Sequence, residues 1–165
     1  MSLLLDRYEE ILERLRAELI AHYGPRLVSV AVFGSVGRGT PRQDSDIDVL
    51  IVARDLPRGR TARVGEFLPI DARVESWLSK AQGSVGPVML SPVFKTPAEV
   101  EAGSPLFLDM IDDARLLHDT DGFFQRYLDG FRRRLEVLGS RRIWLGNAWY
   151  WELKPDLKPG EVFTL

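Results

Sequence analysis

Leu4, Tyr8, Ile11, Leu12, Leu15 and Leu19 recur at the spacing of one helix face with charges between them, which predicts a helix, capped by Ser2 and stopped at Gly24-Pro25. Leu27 to Phe33 follows as an unbroken apolar run, the pattern of a strand buried on both faces. A second run, Ile47 to Ala53, predicts its partner. From Thr61 to Gln82 the period is helical but carries Pro69, so two helical pieces or a kink are expected, closed by Gly83 and Gly86-Pro87. Val88 to Phe94 reads as a third strand, with Pro92 marking an edge or a bulge. Pro97 to Asp113 reads as a helix broken near residues 103–105, and Ala114 to His118 as a short strand. Gly122 to Leu138 gathers Phe124, Tyr127, Leu128, Phe131 and Leu135 on one helix face, with Gly139 as its cap. Ile143 to Leu145 and Trp149 to Leu153 form a small hairpin around Gly146-Asn147. The expected fold is α/β in the α+β sense: a small mixed sheet flanked by helices, placed on one side, with a C-terminal helix and hairpin extension. At 165 residues the chain makes a single domain, with a core over 1–122 and the extension over 123–165.

The chemistry lies between the first two strands, in FGSVGRGTPRQDSDIDVLIVA from Phe33 to Ala53. Asp46 and Asp48 are two apart, so in an extended chain both carboxylates project from one side. Like charges held that close favour a cation between them, and hard oxygen ligands at a strand mouth suggest Mg²⁺. Ahead of them Gly34, Gly37 and Gly39 let the backbone approach a ligand and turn its N–H groups toward an anion. A phosphate on a metal is the natural occupant.

GSVGRG followed at this distance by SDID, between two apolar runs, resembles the signature of the nucleotidyltransferase superfamily. The resemblance is greatest to small stand-alone members sharing the polymerase-beta-like palm core, including the group whose members pair with helical toxins. It implies that Asp46 and Asp48 are catalytic and bind the metals, that Gly34 and Ser35 hold terminal phosphates, and that Arg38 and Ser45 sit at matching motif positions. Arg38 can equally position the loop, and Ser45 can equally hydrogen-bond locally. The implied reaction is Mg²⁺-dependent transfer of a nucleoside monophosphate from an NTP, ATP in the simplest case, to a hydroxyl of an unidentified acceptor. A helical toxin-like protein and an RNA are the acceptor classes. The family's third acid is missing: Val88, Leu90 or Ser91 stands where it is expected. Asp71 or Glu75 substitutes for it only if the intervening segment folds back, and Asp44 is a spare acid at the strand entrance. That gap leaves a second reading, a catalytically weakened nucleotide-binding regulator or antitoxin-like protein.

Charge and composition narrow this further. Residues 1–122 carry 14 basic and 19 acidic side chains and residues 123–165 carry 8 and 5, so a net of −5 faces a net of +3, too little to argue for long nucleic acid from field strength. Arg132 to Arg134 with Arg141 and Arg142 form a basic cluster, either a contact for RNA or an acidic partner or a solvated face. Trp144, Trp149, Tyr150 and Trp151 either stack on a base or fill a small core beneath the hairpin, with Tyr150 on the other face. His22 and His118 read as structural or exposed. The absence of cysteine excludes disulfides and thiolate metal sites. No apolar run approaches the roughly 20 residues of a spanning helix. The opening MSLLLDRYEE lacks the pattern of a secretory signal, so a cytoplasmic protein is expected.

Overall fold

In the computed structural model, which describes residues 3–81, 88–146 and 148–165, α1 (Leu3–Tyr23) leads into β1 (Leu27–Phe33). One helical turn, α2 (Gly34–Gly37), separates β1 from β2 (Ile47–Ala53). Then come α3 (Arg60–Ala81), β3 (Leu90–Lys95), α4 (Pro97–Glu101), α5 (Phe107–Asp113), β4 (Arg115–Asp119), α6 (Phe123–Leu138), β5 (Arg141–Leu145) and β6 (Ala148–Glu152). The expected cap at Ser2, the stop at Gly83 and Gly86-Pro87, the helix end at Gln82 and Asn147 lie outside the described residues.

The four central strands are ordered β3-β2-β1-β4; β5 and β6 form a separate antiparallel pair. β1 runs antiparallel to both its neighbours, while β2 and β3 are parallel, so the sheet is mixed. Pro92 lies on β3 at the sheet edge, where its missing N–H costs no ladder bond on the outer side. α3 continues through Pro69 as a single helix instead of dividing there.

Alternation along β2 decides where everything else goes. Ile47, Val49, Ile51 and Ala53 point into a core with Leu12, Leu15 and Leu19 of α1 and Phe67, Ile70 and Val74 of α3. Leu50 and Val52 point into a second core with Val100, Phe107, Met110, Phe124, Leu128 and Phe131 from α4, α5 and α6. Helices therefore cover both faces, not one, and the unbroken apolar runs of β1 and β2 are the sequence record of that burial. The final hairpin belongs to the second side, with Trp151 and Leu153 packed on the core of α4–α6.

Candidate active site

Asp48 has the even parity of Leu50 and Val52, so it leaves the sheet on the side of α4, α5 and α6, and Asp46 shares that parity just ahead of the strand. Asp48 pairs across the ladder with Phe33, the last residue of β1, and the chain turns sharply beyond it. Gly34 has φ of +66°, a conformation that costs other residues about 1–2 kcal/mol. A Cβ built there would stand 2.3 Å from Oδ2 of Asp48. Only a glycine lets the bend close onto the carboxylate. Burial pushes the Asp48 carboxyl up from its ordinary range; the charge of Asp46 adds to this, and the guanidinium of Arg38 partly offsets it.

The three glycines of the motif divide by role. Gly34 makes the close approach. Gly37 is packed against backbone, its virtual Cβ 2.6 Å from the carbonyl oxygen of Asp113 and 2.7 Å from that of Val32. Gly39 has φ of +72° and open space around it, so it serves the turn. Expecting all three to serve ligand approach overlooks that second packing demand.

The segment between bend and acids is held by short contacts. Ser45 Oγ accepts from the backbone N–H of Arg42 at 2.8 Å and from Ser35 Oγ at 3.1 Å, so Ser45 is engaged locally and ties the bend to the acid loop. The buried Tyr8 of α1 directs its hydroxyl at the carbonyl oxygens of Arg42 (2.9 Å) and Ser45 (2.8 Å), a contact across 34 to 37 residues that no local pattern signals.

Arg38 reaches from the bend to α5 and the hairpin. Its Nη1 donates to Asp113 Oδ2 at 3.2 Å, and its guanidinium lies over the ring of Trp149, 5.2 Å from the centroid. Asp113, almost fully buried at the end of α5, also receives Arg142 at 3.3 Å. Asp109, one turn earlier, accepts the indole N–H of Trp149 (2.7 Å) and of Trp151 (3.1 Å). Sequence reasoning assigned neither acid a role: each is one carboxylate in a helix, and only the folded chain brings the hairpin to it.

Among the described residues no third acid joins Asp46 and Asp48 as a group. Ser91 is the register partner of Asp48 on β3, and the carbonyl of Met89 accepts from the N–H of Ile47 beside Asp46. Asp71 and Glu75 lie on α3, which packs on the opposite sheet face, so they do not complete the pair. Among the described residues no group of three or more His, Cys, Asp or Glu gathers as a metal site. The basic cluster is largely consumed internally: Arg132 pairs with Asp112, Arg141 with Glu152, and Arg142 with Asp113 and Asp109. His118 bonds Thr120, and His22 stands 4.0 Å from Glu66. No helix of the described residues is long and apolar enough to cross a membrane.

A cavity of about 550 Å³ lies elsewhere, lined by Arg60, Arg63, Phe94, Lys95 and Glu99 near the far end of β3. Arg63 there is already saturated by both oxygens of Glu99 and by the carbonyls of Pro57 and Phe94.

Residues 10–84, which contain the bend and both acids, match the family model of the nucleotidyltransferase domain. A Methanocaldococcus jannaschii protein, named provisionally as a protein adenylyltransferase, is 26% identical over 72% of this chain and 77% of its own length. The protein adenylyltransferase MntA of Thermococcus cleftensis is 38% identical over 33% of this chain and 54% of its own. Among solved structures, a chain of the Shewanella oneidensis complex between a tri-AMPylated HEPN toxin and the MNT antitoxin is similar at 18% identity, over 78% of this chain and 90% of that one, with a TM-score of 0.41. The likeness to the nucleotidyltransferase domain thus lies in residues 10–84, where the bend and the acid pair stand. The family and its named relatives support a nucleotidyl transfer activity.

Proposed function

We propose that the protein transfers a nucleoside monophosphate, AMP from ATP, to a hydroxyl of a protein acceptor, with Mg²⁺ held by Asp46 and Asp48. The observation that carries this reading is the closure of Gly34 onto Asp48: a sharp backbone bend meets one carboxylate of the pair, and the other stands near enough for its charge to act on the first. The donor set fits the ion. Mg²⁺ commonly takes one or two carboxylates, keeps several waters and draws its remaining ligands from substrate phosphates, so a two-acid site is sufficient to hold a metal-bound triphosphate. Gly34 and Ser35 of the bend would hold the terminal phosphates. Arg38 positions the loop from its seat between Asp113 and Trp149 and contributes positive potential toward Asp48.

In the reaction the acceptor hydroxyl loses its proton to solvent and its oxygen forms a bond to the α-phosphorus, the bond from that phosphorus to the bridging oxygen of the β-phosphate breaks, and pyrophosphate leaves. The bound metal would neutralise the triphosphate and make the acceptor hydroxyl more acidic. The names of the relatives favour ATP and a protein acceptor. The motif's resemblance to the group that pairs with helical toxins makes such a protein the first to try. RNA is a weaker choice, since three of the five arginines that would meet it, Arg132, Arg141 and Arg142, are ion-paired within the chain; a strong salt dependence of RNA binding would restore it.

The register of Ser91 with Asp48 favours a second reading, a nucleotide-binding regulator with little turnover. Incubation with labelled ATP, Mg²⁺ and candidate proteins separates the two, because only the enzyme moves label. The site itself is tested by Asp46→Asn with Asp48→Asn: Mg²⁺-dependent ATP affinity is lost while the melting transition remains. Full affinity in calorimetry of the folded double variant would refute the assignment.

A further inference from the structure

The final hairpin sorts its side chains cleanly. Trp144 pairs with Trp149 and Arg142 with Trp151, so these four share one face, whereas Ile143 and Tyr150 share the other. On the first face the Arg142 guanidinium is wedged among three indoles, with its Cζ 5.0 Å from the Trp149 centroid and 5.6 Å from those of Trp144 and Trp151. Asp113 and Asp109 compensate its charge. Both oriented N–H groups, of Trp149 and Trp151, are directed into Asp109, which fixes those ring planes. Trp144 rests on Trp149 with centroids 4.9 Å apart and remains 54% exposed. A large aromatic side chain half in water, on a foundation this heavily braced, calls for an occupant.

We propose that Trp144, supported by Trp149, is the platform on which the base of the bound nucleotide stacks. The inference rests on the reading that the triphosphate lies at Gly34, Ser35 and the acid pair. Position supports it: the hairpin packs on the same sheet face from which Asp48 emerges, and the single side chain of Arg38 spans from the bend to the Trp149 ring. Charge supports it as well. Asp109 and Asp113 already engage Arg142, so the platform offers a ring face to a flat neutral group and not a cation to a phosphate. A protein-docking surface is less favoured, because the other exposed apolar side chains of the hairpin, Leu145 and Tyr150, belong to the opposite face and form no continuous patch with Trp144. Stacking needs only a π-face, so selection among bases is weak and follows ring area, with purines ahead of pyrimidines.

The test compares ATP with inorganic tripolyphosphate, each titrated calorimetrically in Mg²⁺ buffer into the wild type, Trp144→Ala and Trp144→Phe. Loss of one base–aromatic stack corresponds to about 1–3 kcal/mol, hence roughly a 5- to 150-fold weakening of ATP for Trp144→Ala. Tripolyphosphate affinity stays at the wild-type value, and Trp144→Phe keeps most of the ATP affinity. Wild-type ATP affinity in Trp144→Ala overturns the proposal, and so does an equal loss for both ligands. Equal binding of ATP and tripolyphosphate by the wild type removes the platform and leaves the phosphate site standing, whereas binding of neither removes both. Unchanged ATP binding with reduced transfer to a protein acceptor reassigns Trp144 to acceptor docking and likewise overturns the base platform.

Discussion

Replacing Gly34 with alanine separates a folding cost from a functional one. The backbone there has φ of +66°, so any L side chain costs about 1–2 kcal/mol, a fall in melting temperature of roughly 2–8 °C for a chain this size. Gly24 has φ of +52° with nothing within 4 Å of a virtual Cβ, so Gly24→Ala incurs the same backbone cost and no collision. At Gly34 the new methyl meets Asp48 Oδ2 at 2.3 Å, whereas ordinary contact begins at 3.4 Å. The carboxylate must retreat by about 1 Å, a misplacement that can lower turnover by about 100-fold when the displaced group positions the reaction. The two variants should therefore melt at similar temperatures and differ sharply in Mg²⁺-dependent ATP affinity and in transfer of labelled nucleotide. If Gly34→Ala binds and transfers like Gly24→Ala, the carboxylate against the bend is not the site.

Two further predictions concern pH. Burial and the charge of Asp46 raise the Asp48 carboxyl, so in metal-free protein its ionisation favours unfolding: its stabilising contribution is present at low pH and is lost as pH rises through the native pKa. Metal-free Asp48→Asn should therefore melt above the wild type at pH 7–8, with the gain shrinking as pH falls into the carboxylate range; a lower melting temperature at pH 7–8 would contradict this. Glu99 shows the reverse sign, its carboxyl held down to about 2 from the usual 4.5, first by hydrogen bonds from Arg63. The pair is partly exposed, so Glu99→Gln should cost about 1 kcal/mol at neutral pH, and the difference from wild type should fade between about pH 4.5 and 2. A difference that persisted at pH 2 would remove the ion pair as its cause.

What the sequence disclosed follows from the range of each signal. The strands at Leu27–Phe33 and Ile47–Ala53, the broken helix before Asp113 and the hairpin around Gly146 are coded by local period and turn residues, and they form within one or two residues of the expected bounds. The parity of Asp46 and Asp48 is equally local, and the fold adds the contact that gives it meaning, the bend of Gly34 on the carboxylate. Pro69 does not divide α3, because a helix packed along α1 and the sheet can absorb one proline whose local cost would end an isolated helix. Asp109, Asp113 and the hydroxyl of Tyr8 are invisible beforehand, since their partners lie between 29 and 75 residues away and no periodicity links them. The sheet face also settles a question that spacing left open: α3 packs opposite Asp48, so no folding back of that segment delivers Asp71 or Glu75.

The most direct measurement is a crystal structure of the protein with a non-hydrolysable ATP analogue and Mn²⁺ in place of Mg²⁺, with the ion located by its anomalous signal. The account predicts an ion ligated by carboxylate oxygens of both Asp46 and Asp48, with the triphosphate against Gly34 and Ser35. An ion peak away from both acids, or a triphosphate bound elsewhere on the chain, would contradict it.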